Sequence, residues 1–293
     1  MKGSPDRRWI LLFLCLLLLP SACLPNKKLT VGATAILLEE IAKASSRQSD
    51  LRILREGTPA YLMLVDGMIQ AVPDNDQLLI AGAQSYSSFA SLFLEDQDKE
   101  YAKQLFGKGK QYALRSLEAR GFKDPLGRPF DDFKEGLNHL GKKEVPYLFW
   151  AATCWVNWIR LNLDSVEAIS ELPRVEEMMK RVLELDERFY YGGPHLFMGI
   201  WFASRPKMAG GDLKKAQEHF LRAFHFGQGK FLMAYVYYAK YYAPKIMDKE
   251  LFTSTLQKVL EIPADTPLDL ILVNTVAKKE AKELLNRVEE YFE

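Results

Sequence analysis

The stretch that decides the fold runs from Tyr190 to Gly227, YYGGPHLFMGIWFASRPKMAGGDLKKAQEHFLRAFHFG. It predicts two short helices joined by a turn. Pro194 suits the first turn of a helix, because its missing N–H would have no partner there. Asp212 follows a break that contains Pro206 and two glycines, and it is a favourable N-cap for the second helix. One apolar stripe with a helical period follows, formed by Leu213, Ala216, Phe220, Ala223 and Phe224.

Five residues of this helix pair follow the small–aromatic–Ala–aromatic–Ala order of a tetratricopeptide repeat. They are Gly199, Phe202, Ala216, Phe220 and Ala223. We expect them to pack the two helices closely against each other. The turn is about five residues longer than in that motif, and Gln228 stands where the motif usually carries proline. Because one pair cannot bury both of its faces, the pair predicts similar pairs stacked against it.

The rest of the chain has helical spacing and no convincing two-residue alternation. It therefore predicts an all-α, solenoid-like stack of about eleven or twelve helices in antiparallel pairs, built from cryptic tetratricopeptide-like repeats. Gly57-Thr58-Pro59 predicts a break between two helices, since Thr58 can cap and Pro59 can begin a new helix. Thr266-Pro267-Leu268-Asp269 predicts the start of a long last helix that reaches Phe292, because it resembles a capping box.

The first residues have the pattern of a targeting segment. Lys2, Arg7 and Arg8 precede the apolar run Ile10–Leu19, and Ser21-Ala22-Cys23 follows. This order is typical of a signal peptide, and the run is too short to span a membrane. We expect a lipoprotein signal peptide at residues 1–22, acylation of Cys23, and one all-helical repeat domain at residues 23–293. The alternative is plain secretion with Cys23 as an unmodified thiol.

Charge and cysteine content exclude some classes of function and of covalent structure. Removing residues 1–22 removes three basic residues and one acidic one, so the formal net charge changes from +1 to about −1. A near-neutral chain without basic blocks has no electrostatic footprint for nucleic acid. With Cys23 acylated, only Cys154 remains in the mature chain. We expect it to be a buried thiol, and an internal disulfide is excluded.

No catalytic or metal-binding pattern stands out. The four histidines (His139, His195, His219 and His225) do not pair at metal-ligand spacing, and there is no dinucleotide or nucleophile-elbow motif. We therefore expect no metal, no cofactor and no enzymatic activity. An α-helical glycosidase with two carboxylates from distant helices stays open as a third alternative.

Aromatic residues crowd the segment after the opening stretch. Phe231, Tyr235, Tyr238 and Tyr242 share one helical face, with Tyr237 and Tyr241 beside it. Packing between repeats explains such a face, and so does an aromatic surface for a partner or an apolar ligand, because tyrosine combines apolar area with a polar tip. As the functional interpretation we name Trp201, Tyr235 and Tyr238 as the candidate partner or ligand surface.

The opening stretch, together with VPYLFWAATCWVNWIRLN and LPRVEEMMKRVLELDERF before it, resembles the T component (TatT) of TRAP transporters, the tripartite ATP-independent periplasmic transporters. The resemblance covers most of the mature chain. It implies a lipoprotein that faces the periplasm and binds the substrate-binding P component. It also implies an apolar or amphipathic ligand, such as a fatty acid, and leaves a second copy of the chain as a further partner.

The competing interpretation is a repeat lipoprotein that acts as a general scaffold in envelope assembly. The two interpretations share a fold and an anchor, so sequence physics does not separate them. The resemblance places the protein at a membrane through its acyl anchor, without indicating whether this is the inner or the outer membrane.

Overall fold

The computed structural model describes residues 27–95 and 97–292, and this part of the chain is helical without a β-strand. The predicted all-α fold class is confirmed. The first helices are α1 (Lys27–Ser46), α2 (Leu51–Ala71), α3 (Asp76–Phe89), α4 (Lys99–Ala119), α5 (Phe130–Asn138), α6 (Val145–Arg160) and α7 (Val166–Ser170). The others are α8 (Leu172–Asp186), α9 (Phe189–Ala203), α10 (Leu213–Phe226), α11 (Leu232–Tyr237), α12 (Lys249–Glu261) and α13 (Ile271–Leu285).

Short turns of other helix types extend these elements. A π-helical turn, Ala90–Leu94, continues α3, and a second one, Tyr238–Tyr242, continues α11. The 3-10 turns are Lys142–Glu144, Lys207–Ala209, Ala243–Ile246, Leu268–Leu270 and Val288–Tyr291.

The helices form an inner and an outer layer. The inner helices are α3, α6, α9, α11 and α13, and each contacts the next directly or through its π turn. The outer helices α4, α8, α10 and α12 each pack on inner ones. Helix α1 contacts both α2 and α13, so the two ends of the described chain meet. The stack therefore curves so that its first described helix lies against its last α-helix.

Small residues allow α9 and α10 to approach closely. A Cβ atom built on Gly199 would lie 3.0 Å from the Phe220 ring. Ala216, Phe220 and Ala223 are fully buried, and Phe202 is half-buried with its ring 5.6 Å from that of His219. The five residues that match the repeat pattern thus lie together between these two helices.

The buried apolar residues form two separate clusters. One extends from Leu38 to Trp201 and the other from Leu196 to Leu284, so the boundary between them runs through α9. Phe202 packs against both clusters. We call the parts of the chain on the two sides of this boundary the N-terminal half and the C-terminal half.

A buried asparagine joins two inner helices in the C-terminal half. Asn274 on α13 is fully buried, and its amide oxygen accepts a hydrogen bond from the backbone N–H of Leu232 at 3.0 Å. Its amide nitrogen donates to the carbonyl oxygen of Lys230 at 2.9 Å. Both polar groups are satisfied, as burial requires. The first turn of α11 is therefore fixed to α13.

The predicted break at Pro59 is wrong, because α2 is continuous and Pro59 lies inside it. The Thr58 hydroxyl does not cap a new helix. It donates to the carbonyl oxygen of Leu54 at 2.6 Å, within the same helix. Proline removes one intrahelical hydrogen bond, but the buried stripe of α2 continues from Leu54 past Pro59 to Ile69. Tertiary packing thus outweighs the local signal.

The predicted start of the last helix is also wrong. Leu268–Leu270 is a 3-10 turn, α13 begins at Ile271 and ends at Leu285, and Val288–Tyr291 is a separate 3-10 turn. The carboxylate of Asp269 does not support a helix start. It accepts a hydrogen bond from the Tyr191 hydroxyl at 2.7 Å instead, so a long-range contact replaces the local one.

None of the helices in the described part of the chain combines the length and the apolar character that a membrane crossing needs. The expected signal peptide and Cys23 lie outside the described residues. Cys154 is fully buried and free, and burial raises the pKa of its thiol to about 12.

Candidate functional site: a crevice inside the helical stack

We infer a recess beside the inner layer, which we call the inner crevice. The side chains that border it retain exposed surface: Trp150 and Arg160 on α6, Tyr190 at the start of α9, and Tyr237 and Tyr241 on α11 and its π turn. The Tyr190 ring contacts Trp150, with ring centres 5.3 Å apart. Arg160 lies within electrostatic range of Tyr237 and Tyr241. Trp150 and Arg160 are ten residues apart on one helix, so they lie about 15 Å apart along its axis.

A left-handed turn builds the aromatic end of the crevice. Tyr190, Tyr191 and Gly192 have φ values of 46°, 57° and 78° inside the span of α9. Left-handed geometry costs non-glycine residues about 1–2 kcal/mol each, and such strain gathers at functional sites. Gly192 must lack a side chain, because a Cβ atom there would lie 3.0 Å from Phe226. The turn places Tyr190 between Trp150 on α6 and Phe231, whose ring centre is 5.8 Å away.

Tyr190 is accessible and yet surrounded by protein. It exposes 37 % of its surface. Burial nevertheless raises the pKa of its phenol to about 12, and Asp269 adds to this effect. A side chain that is both accessible and desolvated lines a recess, since an outward-facing tyrosine would be solvated. The neighbouring Tyr191 hydroxyl donates to Asp269, and burial raises its pKa to about 12 as well.

Two ion pairs form the other end of the crevice. The guanidinium of Arg160 binds both carboxylate oxygens of Glu95, with an Nη2–Oε2 distance of 2.7 Å. The Lys240 ammonium donates to Glu280 at 2.7 Å. Burial alone would lower the pKa values of Arg160 and Lys240, but the facing carboxylates raise both, so the cations stay charged. This end of the crevice is therefore polar and balanced in charge.

Tyr237 and Tyr241 stand between the ion pairs and the aromatic end. Their ring centres are 5.7 Å apart at an angle of 68°. Burial raises the pKa of Tyr237 strongly, and the carboxylate of Glu280 raises it further. The Tyr237 phenol therefore stays protonated at physiological pH, so it offers a hydrogen-bond donor on an aromatic wall.

The arrangement suits binding of an elongated molecule with an apolar and a polar part. Within the described residues no group of three or more His, Cys, Asp or Glu side chains is placed to hold a metal ion. The spatial pairing of His195 and His219, whose Nδ1 atoms are 2.9 Å apart, lies between α9 and α10, in the helix packing.

The residues named from sequence as a partner surface make intramolecular contacts. Trp201, Tyr235 and Tyr238 expose only 6 %, 8 % and 6 % of their surfaces. Tyr235 stacks on Phe224 at 4.2 Å, and Arg205 covers the Trp201 ring at 3.5 Å. These three side chains pack the repeats and do not line the inner crevice.

Sequence reasoning missed the residues of the crevice itself. The sequence places Tyr237 and Tyr241 beside the main aromatic face, whereas α11 and its π turn carry aromatic residues on two faces. Trp150 and Arg160 lie on one face of α6 together with Thr153 and Asn157, and this semi-polar stripe on an otherwise apolar helix was the available signal. Apart from the two glycines that follow it, nothing in the sequence around Tyr190 indicates that it borders the crevice.

The fold defines an all-α helical-repeat protein. The family model described as TAtT, TRAP transporter T-component, matches residues 47–292, and the chain belongs to this family. The resemblance read from the sequence is confirmed. The protein is an accessory component of a TRAP transporter, associated with the envelope and with other components of the transporter. The family is one of transporter components and not a known enzyme family. A comparison with curated proteins found no match.

Proposed function

We propose that this chain binds the substrate-binding P component of its transporter and receives an apolar or amphipathic ligand in the inner crevice, without performing chemistry. The observation that carries the proposal is Tyr190, an aromatic side chain that is accessible and still enclosed by protein. Ligand sites in proteins are typically concave and mostly apolar, with a few placed polar groups.

The two ends of the crevice match the two parts of such a ligand. Trp150 and Tyr190 supply aromatic surface for an apolar chain, and burying apolar area is favourable by roughly 25 cal/mol per Å². Arg160 and Lys240 lie at the other end beside their carboxylate partners. A polar group of the ligand can exchange hydrogen bonds there without leaving a charge unpaired.

The anchor and the partners complete the proposal. Acylation of Cys23 would hold the protein on a membrane facing the periplasm. The T-component family supports association with other transporter components, and among these the P component is the partner we assign. A second copy of the chain is a further partner of the proposed assembly.

Calorimetry between the full-length chain in detergent and its cognate P component tests the partner. A fluorescent long-chain fatty acid, titrated by emission, tests the ligand. Tyr190→Asn removes the ring and suits the left-handed backbone. It should weaken ligand binding about tenfold, equivalent to 1.4 kcal/mol. Tyr101→Ser is the matched control, because Tyr101 on α4 exposes 45 % of its surface outside the crevice.

The outcomes separate the candidate functions. Ligand binding that Tyr190→Asn and Tyr101→Ser alter equally would remove the crevice from the proposal. If the P component does not bind at tens of micromolar or so, a range where weak interactions are still measured, the transport role fails. The general envelope scaffold would then be the better explanation.

A further inference from the structure

The long turn between α9 and α10 is compact and rigid. Its backbone N–H groups bond within the turn: Ala209 and Gly211 donate to the carbonyl oxygen of Pro206 at 2.9 and 3.0 Å. Asp212 donates its N–H to the carbonyl oxygen of Phe202 at 3.1 Å, which ties the turn to α9. A Cβ atom on Gly211 would lie 1.9 Å from the Arg205 carbonyl oxygen, so the chain folds tightly against itself there. The extra residues of this turn thus form a fixed structure.

This rigid turn presents an apolar side chain to solvent. Met208 is 96 % exposed. Lys245 lies across a groove of about 700 Å³ from the turn, and Met247, close behind it in sequence, is 69 % exposed. Met247 has a left-handed backbone with φ of 55°. Methionine is flexible and polarizable, and it is common where surfaces adapt to a partner.

The groove has an excess of positive charge. Lys207 and Lys245 line it, Lys214 follows on the first turn of α10, and all three are exposed. In the described part of the chain none of these three lysines forms an ion pair within 4.0 Å. The acid at the groove, Asp212, accepts hydrogen bonds from the backbone N–H groups of Lys214 and Lys215 as an N-cap, and its carboxylate lies 3.9 Å from the Lys215 ammonium. Arg205 is held by Glu176 at 3.7 Å and by the Trp201 ring.

We propose that this groove docks an acidic segment of the partner protein that also carries an apolar side chain, the inference resting on the function proposed above. Complementary charge steers the encounter, and the methionines supply the apolar contact. A concave groove receives a protruding segment, whereas a lipid surface is bound by an extended amphipathic face. The rigidity of the turn lowers the ordering cost of binding.

Charge reversal tests the groove. The double variant Lys207→Glu/Lys245→Glu should weaken binding of the cognate P component at least about tenfold at low salt, because like charges would then face each other. Raising the salt concentration should weaken wild-type binding and reduce the difference in affinity between wild type and the double variant. Lys134→Glu/Lys143→Glu changes the net charge equally at exposed positions on and after α5, and it should bind like wild type.

Photo-crosslinking identifies the occupant directly. A benzophenone amino acid at position 208 should crosslink to an acidic segment of the P component, located by mass spectrometry. The same group in place of Met63, which is 76 % exposed on α2, is the control and should not crosslink.

Three results would overturn the inference. If the P component binds and both double variants bind alike, the groove is wrong while the proposed function stands. If wild type does not bind it, the proposed function fails and the inference with it. If charge reversal changes only binding to phosphatidylglycerol vesicles, the occupant is a lipid surface and the protein partner is wrong.

Discussion

Acid should destabilise the fold through the histidine pair between α9 and α10. The Nδ1 atoms of His195 and His219 are 2.9 Å apart, so one ring donates and the other accepts while both are neutral. His195 is 3 % exposed and its Nε2 contacts Glu187 at 3.1 Å. Burial lowers the pKa of His219 to about 4, and the charges of His195 and Arg222 act in the same direction. Burial also lowers the pKa of His195, opposed by Glu187.

The direction in which stability changes with pH follows from proton binding. Below about pH 6.5 the unfolded chain binds a proton at position 219, whereas the folded chain does so only near pH 4. The contribution of this group is therefore complete above pH 6.5 and is lost as the pH falls toward 4. With these two values the loss between pH 7.5 and pH 5 is about 2 kcal/mol of unfolding free energy.

Urea unfolding followed by circular dichroism at several pH values measures this loss. His219→Asn cannot titrate, so its unfolding free energy should fall about 2 kcal/mol less than that of wild type over the same range. His225→Asn, at an exposed position of the same helix, is the control and should keep the wild-type slope. If the unfolding free energies of wild type and His219→Asn change equally with pH, the reasoning is refuted. If the variant is less stable by the same amount at all pH values in addition to the expected difference in slope, the reasoning still holds.

Three further predictions concern packing and anchoring. Ala216→Leu should lower the melting temperature by several degrees, because overpacking a fully buried site costs about 1–3 kcal/mol; an unchanged value in calorimetry would contradict this. Asn274→Leu should unprotect the Leu232 amide in hydrogen exchange and cost about 1–3 kcal/mol, since a buried donor loses its partner; retained protection would argue against it. Cys23→Ala should move the protein from the detergent phase to water, because stable anchoring needs acyl chains; equal partitioning of both forms would exclude acylation.

The helix pair α9 and α10 was predictable because its signals are local. Apolar residues three and four positions apart mark the buried stripe, and small residues mark the close approach. These regularities depend on the geometry of a single helix, so a sequence displays them directly. The exceptions, at Pro59 and Asp269, are positions where a contact with a distant residue or a continuous buried stripe outweighs the local preference.

The inner crevice was not predictable in the same way. Its lining residues come from three inner helices, and no spacing rule relates Trp150 to Tyr190 or Arg160 to Tyr241. The left-handed pair Tyr190 and Tyr191 contradicts the ordinary preference of tyrosine, so local propensity points away from it. The contact between His195 and His219 was not predictable either, because the two rings are 24 positions apart in sequence and meet only after the helices pack.

Each of the two π turns beside the crevice holds one residue more than an α-helical turn. In the first, the N–H of Glu95 bonds to the carbonyl oxygen of Ala90, five residues back, where an α-helix would use the residue four back. This wider turn takes up the extra residue, so the residues on either side of it keep the faces that they would have in a regular helix. The second π turn carries Lys240 and Tyr241. Loss of one codon within the first turn would restore a regular helix and leave Glu95 facing Arg160. The polar end of the crevice can thus tolerate a change of one residue in chain length that leaves the packing of the helix pairs unchanged.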